Sequence, residues 1–277
     1  MPDIAQQRAR AEAFRNMHRG RLLLLPNVWD VATARIFEDS GFGAIATTSA
    51  GIAFTLGYPD GEHISRQEML AAVERIAAAV QVPVTADVEA GYGNRPEDAA
   101  LTARAVIQAG AVGMNLEDAT GQPENPLLDL PLQIEKINAV LEEARRTGVP
   151  IVLNARTDVY LLEVGAPKRR YELALKRLAA FRDAGADCLF VPGVRDSETV
   201  GRFVVDLQHP INILAGPGSS SIPELEKLGV ARVSLGSAPM RATLGLLRRM
   251  AEELKSSGTY RTMEAAPSHA DVNRMMG

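Results

Sequence analysis

Cysteine, long apolar runs, an excess of one charge and flexible linkers are all scarce in this sequence, and each scarcity removes a class of answer. Cys188 is the only cysteine, so no disulfide framework forms within the chain and a reducing compartment is expected. Thirty basic residues are mixed among 34 acidic ones for a net charge of −4, which leaves no basic footprint for nucleic acid. No apolar run approaches the roughly 18 residues that a membrane span needs. The first residues, M-P-D-I-A-Q-Q-R-A-R-A-E-A-F-R, lack the apolar core of a secretory signal. Their arginines raise a transit peptide as an alternative, but Asp3 and Glu12 favour a leading helix, and the cytoplasm is the expected location. The histidines His18, His63, His209 and His269 show no metal-ligand spacing. No Pro/Gly/Ser-rich stretch divides the chain, so one domain over residues 1–277 is expected, with a leading helix over about 1–20 and a polar tail over about 256–277.

What is present is rhythm. Four segments close a helix on glycine and enter a strand: Ser40-Gly41-Phe42-Gly43, Ala109-Gly110-Ala111-Val112, Ala184-Gly185-Ala186-Asp187 and Leu228-Gly229-Val230-Ala231. Glycine just past a helix accepts the left-handed C-cap and opens a short turn. Two further strands follow Val82-Pro83 and Val149-Pro150, where proline as first residue costs no ladder hydrogen bond. Strands are therefore expected at 22–26, 43–48, 83–88, 112–117, 150–156, 187–191, 211–215 and 231–235. Helical patterns lie near 30–40, 66–80, 96–109, 130–147, 168–184, 196–207 and 222–228, and a last one covers 237–255. Strict strand–helix alternation implies a parallel sheet, and eight units close an α/β barrel, the (β/α)8 TIM barrel, with its reactive groups at the C-terminal strand ends.

That rule sorts the polar residues. Asp87 and Glu89, in V-T-A-D-V-E-A-G-Y-G, point to the same face by the strand period of two, and Glu117 ends the next strand in M-N-L-E-D. Carboxylates gathered in one mouth repel one another and lose hydration unless a hard cation sits among them, so a magnesium site is expected. Pairing of each acid with an arginine is the alternative. Thr47, Thr48 and Ser49 precede Ala50-Gly51, where small residues let backbone N–H groups approach an anion; an ordinary polar turn reads equally well. Arg156, in V-L-N-A-R-T-D, either clamps a substrate carboxylate or steadies an enolate oxygen, or holds Glu117 or Asp118 in an ion pair. Asp60, in G-Y-P-D-G-E, is a turn residue or reaches the metal's water shell. Tyr92, between two glycines, is a candidate lid over the site, and Trp29 either walls the pocket or packs. Cys188 reads as a small buried hydrophobe. Val233-Ser234-Leu235-Gly236-Ser237 looks like the phosphate-gripping turn of many barrels, which leaves open a phosphate-binding barrel that needs no metal.

Taken in order, L-P-N-V-W-D-V-A-T-A-R, T-T-S-A-G, Y-P-D-G, T-A-D-V-E-A-G-Y-G, N-L-E-D and N-A-R-T-D resemble the isocitrate lyase/phosphoenolpyruvate mutase superfamily, closely over Leu22 to Arg156. The resemblance implies Asp87 as direct Mg2+ ligand, Mn2+ being a substitute, with Glu89, Glu117 and Asp60 acting through waters. It implies Ser49, Ala50 and Gly51 as the cradle of a substrate carboxylate and Arg156 as the group that steadies an enolate oxygen. Small 2-oxo or 2-hydroxy acids are the implied substrates. A last helix exchanged between subunits, around Ala238 to Leu254, and a homodimer or homotetramer are implied as well. Two departures stand out. The stretch after the strand-four Glu-Asp, Ala119 to Asp129, has no Lys, Arg or Cys, so the gating loop with its catalytic cysteine is missing. Glu89 replaces the commoner aspartate. Enolate machinery remains, enough for decarboxylation of an oxaloacetate-type acid. Cleavage of a methylisocitrate-type or substituted malate would need Glu117, Tyr92 or Glu124 as base and acid. A non-catalytic 2-oxoacid-binding protein and phosphorus–carbon chemistry of the mutase or phosphonopyruvate hydrolase type are the alternatives.

Overall fold

The computed structural model describes residues 3–277. Nine parallel strands appear where eight were expected: β1 Leu23–Leu25, β2 Asn27–Val28, β3 Ile45–Thr47, β4 Val84–Asp87, β5 Gly113–Glu117, β6 Val152–Arg156, β7 Cys188–Phe190, β8 Ile211–Leu214 and β9 Arg232–Ser234. The extra strand comes from one proline. Pro26 has no N–H and splits the first strand, so β1 pairs with β9 while β2 pairs with β3. Each remaining strand pairs with its sequence neighbour, and the chain through Pro26 joins the two ends of the sheet. Asn27 reinforces the seam. Its Nδ2 donates to the Thr47 carbonyl at 2.8 Å, and its Oδ1 accepts the N–H groups of Leu235 and Gly236 at 2.7 and 2.9 Å. The amides of the expected phosphate turn are thereby occupied.

Helices α1 Ile4–Asn16, α2 Val31–Asp39, α3 Ser49–Thr55, α4 Arg66–Ala79, α5 Pro96–Gln108, α6 Leu130–Thr147, α7 Pro167–Asp183, α8 Ser197–Leu207, α9 Ile222–Lys227, α10 Ala238–Ser257 and α11 His269–Met276 surround the strands. Their starts follow local chemistry. Asp30 and Thr33 form a capping box before α2, as do Ser65 and Glu68 before α4. Proline occupies the first turn of α5, α6, α7, α9 and α10, where its missing N–H leaves no bond unmade.

Two helices were not expected. Thr48 accepts from the Gly51 N–H and starts α3 at the point read as a strand end. The tail beyond residue 256 holds a 3-10 turn, Arg261–Met263, and α11, which packs against α2. No helix among the described residues is long and apolar enough to cross a membrane.

The leading helix closes the bottom of the barrel. Gln7 donates to the carbonyls of Ile107 and Ala111, and Arg15 to Asp187 and the Ile151 carbonyl, all near the N-terminal starts of β5, β6 and β7. Phe14 is fully buried in the space that Gly113 leaves: a Cβ at that glycine would come within 2.9 Å of the Phe14 ring. With its base sealed, the barrel opens only toward the C-terminal strand ends.

Candidate active site

Asp87, the last residue of β4, is 9% exposed and accepts three hydrogen bonds. Ser49 gives two of them to Oδ2, from its N–H at 3.1 Å and its Oγ at 2.9 Å. Asn115, two residues before Glu117 on β5, gives the third from Nδ2 to Oδ1 at 3.0 Å. The Asp87 N–H is in turn held by the Thr47 hydroxyl. Thus β3, β4, β5 and the first turn of α3 converge on one carboxylate.

The other acids come from loops and strand ends. Glu89 is 4% exposed and lies beyond β4 in left-handed backbone, φ 52°. It does not share a strand face with Asp87, contrary to the period-two expectation; a turn, not the pleat, aims it at the mouth. Burial, then Asp60 and Asp87, push its carboxyl up to about 8, against a hydrogen bond from the Glu62 N–H. Asp60 stands in the loop after α3, within 3.4 Å of the Ser49 hydroxyl. Loss of hydration and then Asp87 raise its carboxyl. Burial raises the Glu117 carboxyl well above the ordinary range, against an ion pair with Arg156 at 2.6 Å.

Of the readings weighed for Arg156, the structure shows the ion pair with Glu117. Its guanidinium holds Glu117 and also Asp158, the latter by Nε at 2.6 Å and Nη2 at 3.0 Å. Asp118 is not its partner; that carboxylate is fully buried against Arg177 at 2.6 Å. The Phe190 ring lies 5.7 Å from the guanidinium carbon. Tyr92 sits on the same loop as Glu89, also in left-handed backbone at φ 59°, and its buried hydroxyl has no protein partner among the described residues. Burial and the acids Glu89, Glu62, Asp87 and Asp60 drive its ionisation far upward, so it stays a proton donor.

Two loops are laced together over these groups. The Glu62 N–H donates to Glu89, the Tyr92 N–H to Glu62 at 2.7 Å, and Arg66 to the Tyr92 carbonyl at 2.7 Å. From α6, buried Lys136 donates to the carbonyls of Ala90 and Gly93 at 2.6 and 2.8 Å. Sequence reasoning missed Asn115, Glu62 and Lys136. Asn115 was findable, since it lies two residues before Glu117 on the same strand. Glu62 and Lys136 reach the site only through loop geometry.

In the expected carboxylate cradle, both Ser49 donors go to Asp87. Ser49 and Ala50 are buried at the start of α3, but the Gly51 N–H is taken by Thr48 Oγ1. Trp29 is 8% exposed, lies against Gly51 and borders an apolar groove of about 610 Å3 between α2 and α4, with Met276 at its edge. Cys188 is fully buried, its thiol pushed up to about 12 by burial, as suits a packing role. The loop from Ala119 to Leu127 closes on itself through a single antiparallel bridge and carries no cation; Glu124 and Asn125 are exposed.

Among the described residues, no three His, Cys, Asp or Glu side chains stand in position to share one ion directly. The donor set suits a cation that takes one protein carboxylate and keeps its waters, which is the habit of magnesium rather than of zinc.

A family model described as phosphoenolpyruvate phosphomutase matches residues 14–255. A crystal structure of a lyase or mutase from Burkholderia cenocepacia J2315 is 40% identical and superposes with a TM-score of 0.92, covering 98% of this chain and 96% of that one. The oxaloacetate decarboxylase of Rhodopseudomonas palustris (strain BisA53) is 32% identical over 230 residues, 78% of this chain and 74% of that protein. The crystal structure of 2,3-dimethylmalate lyase is 27% identical, with a TM-score of 0.84 over 97% of this chain and 94% of that one. An α/β barrel whose acids and one arginine meet at the mouth, matched along nearly its whole length, belongs to the phosphoenolpyruvate mutase family, within the isocitrate lyase/phosphoenolpyruvate mutase superfamily of carbon–carbon lyases and mutases.

Proposed function

We propose that this enzyme is a Mg2+-dependent lyase, with Mn2+ as a working substitute, that breaks a carbon–carbon bond in a small 2-oxo or 2-hydroxy carboxylic acid. The observation that carries the reading is the imbalance of the mouth. Asp60, Asp87, Glu89 and Glu117 open on one space, and Arg156 is already paired with Glu117 and Asp158. Asp87 would hold the ion directly, and Glu89, Glu117 and Asp60 through its waters. When bound there, the metal supplies a Lewis acid for the substrate's carboxylate and 2-oxygen.

The chain's own groups do the rest. The Ala50 N–H at the α3 start would meet the substrate carboxylate, Ser49 would orient Asp87 beside it through its N–H and hydroxyl, and Arg156 would meet negative charge as it develops on the 2-oxygen. In decarboxylation of an oxaloacetate-type acid, the bond from C3 to the departing carboxylate breaks and CO2 leaves. Its electron pair stays on the C3–C2–O enolate, and a proton returns to C3 from the Tyr92 hydroxyl or water. In cleavage of a substituted malate, Glu117 takes the 2-hydroxyl proton, the C2–C3 bond breaks, and the released carbanion takes a proton from Tyr92. The exposed, cation-free loop at Ala119 to Leu127 favours the first route, which needs no loop acid. The decarboxylase and dimethylmalate lyase relatives bracket the two.

Association into a homodimer or homotetramer is supported by α10. Met240 is its one buried residue, while Leu244, Leu247 and Leu254 are exposed at 44%, 53% and 43%.

The test is a screen for released pyruvate and glyoxylate over 2-oxo, malate-type and isocitrate-type acids, with and without Mg2+. Mg2+-dependent pyruvate from oxaloacetate or a substituted malate, above the rate without enzyme, is expected. Tight oxalate binding with no product from any acid would replace the lyase with a binding protein.

A further inference from the structure

The largest fully buried side chain in the protein is that of Arg232, on the inward face of β9. Other buried cations have full sets of oxygen partners: Arg156 has two carboxylates, Arg177 has Asp118 and the Leu128 carbonyl, and Lys136 has two carbonyls. Arg232 has one weak bond, from Nη2 to Asn115 Oδ1 at 3.4 Å. Its Nε and Nη1 meet no protein acceptor among the described residues. An unpaired guanidinium in a core works against folding, and apolar side chains of like volume usually replace such groups at no loss of stability. A residue that breaks a folding rule without local compensation is expected to serve the site.

Its one bond shows how. Asn115 Oδ1 accepts from Asn154 Nδ2 at 2.7 Å as well as from Arg232, and these two donors fix which end of the amide is which. With the oxygen held from below, Nδ2 must face Asp87 Oδ1, at 3.0 Å. A flipped amide would set its carbonyl oxygen against the carboxylate. The guanidinium also lies close enough to Asp87 for their charges to interact. The mouth thus has a second cation beneath it, which feels the Asp87 charge but touches no carboxylate.

We infer that Arg232 is a positioning residue for anion binding: it locks the Asn115 amide against Asp87 and supplies a fixed positive charge under the mouth that favours doubly charged 2-oxo acids over singly charged ones. The inference rests on the proposed reading of the mouth as a site for a 2-oxo acid and Mg2+. It adds a residue, Arg232, that sets how strongly that site prefers a doubly charged anion.

The experiment measures oxalate and pyruvate binding calorimetrically at saturating Mg2+, with the melting temperature, for the wild type, Arg232→Met and Arg232→Lys. Arg232→Met should melt at or above the wild-type temperature yet bind oxalate on the order of tenfold more weakly. Pyruvate should weaken less, and Arg232→Lys should recover part of the oxalate affinity. A purely structural arginine would lower the melting temperature and leave the oxalate-to-pyruvate ratio alone, and that result overturns the inference. So would unchanged oxalate affinity. If Arg232→Met does not fold, Arg232→Gln, polar but uncharged, decides: an oxalate-to-pyruvate ratio equal to wild type in that variant counts against it. Failure of the wild type to bind oxalate with Mg2+ would instead remove the proposed site.

Discussion

The two ends of the barrel handle charge in opposite ways. At the base, Arg15 meets Asp187 at 2.8 Å, Gln7 satisfies two carbonyls, and nearby Arg104 and Arg146 share Glu143. At the mouth, Asp60, Asp87, Glu89, Glu117 and Asp158 face essentially one guanidinium, and several of their carboxyls are driven above the ordinary range. The base is arranged for stability alone. The mouth tolerates repulsion that folding does not need, which is the mark of a site completed by something bound. Substitutions that separate the two ends should therefore move different observables.

The largest effect is expected at the mouth. Asp87→Ala removes the acceptor of three hydrogen bonds and the proposed direct metal ligand. Mg2+-dependent turnover should fall by about a thousandfold or more, while the melting temperature holds or rises as repulsion is relieved. Steady-state kinetics beside a thermal melt check both halves; a collapse of the melt with turnover per folded molecule retained would assign Asp87 to the scaffold.

Next comes acid sensitivity, which belongs to the base. His18 packs edge-on against Phe14 and hydrogen-bonds the Phe14 carbonyl. Burial, then the Arg232 charge, lower its pKa from 6.5 to about 4. The unfolded chain thus takes up the proton first. Stability that is fully present above pH 6.5 drains as pH falls toward 4, by about 3 kcal/mol in total. Denaturant unfolding at pH 7 and pH 4.5 should show a loss that shrinks in His18→Gln. An identical loss in the variant would place the acid sensitivity elsewhere.

The same contrast explains what could be read beforehand. Strand–helix alternation was legible because its signals are local: a glycine after four of the helices and a proline before two of the strands do their work within a few residues. Asp87, Glu117, Asp60 and Arg156 were legible because the barrel rule converts chain order into position. Pro26 was seen only as part of a strand, since its effect on pairing depends on both neighbouring strands. Glu89 was placed by alternation, yet its turn is set by Glu62 and Lys136, which lie 27 and 47 residues away. The partner of Arg156 was taken as Glu117 or Asp118, and Asp118 was drawn off by Arg177 from α7. Helix α11 was hidden because it is only two turns long; its stripe of Val272, Met275 and Met276 needs the surface that α2 supplies.

Smaller effects sharpen the comparison within α1 itself. Gln7 is 4% exposed, and its Nε2 serves two carbonyls at 2.7 and 2.9 Å. Gln7→Ala leaves both without that donor and should lower stability by about 1–3 kcal/mol. At the next residue, Arg8 pairs with Glu12 at 3.0 Å, but both side chains are more than half exposed. Water screens that attraction, and holding two long side chains in one geometry offsets much of what is left. Arg8→Ala should therefore change unfolding free energy by roughly 0.5 kcal/mol or less. Neither substitution should alter oxalate affinity at saturating Mg2+, because neither side chain contacts the interior layer of Asn115, Asn154 and Arg232. A shift in oxalate binding with Gln7→Ala would mean that the base and the mouth are mechanically coupled through that layer, and the separation of stability from chemistry along the barrel axis would fail.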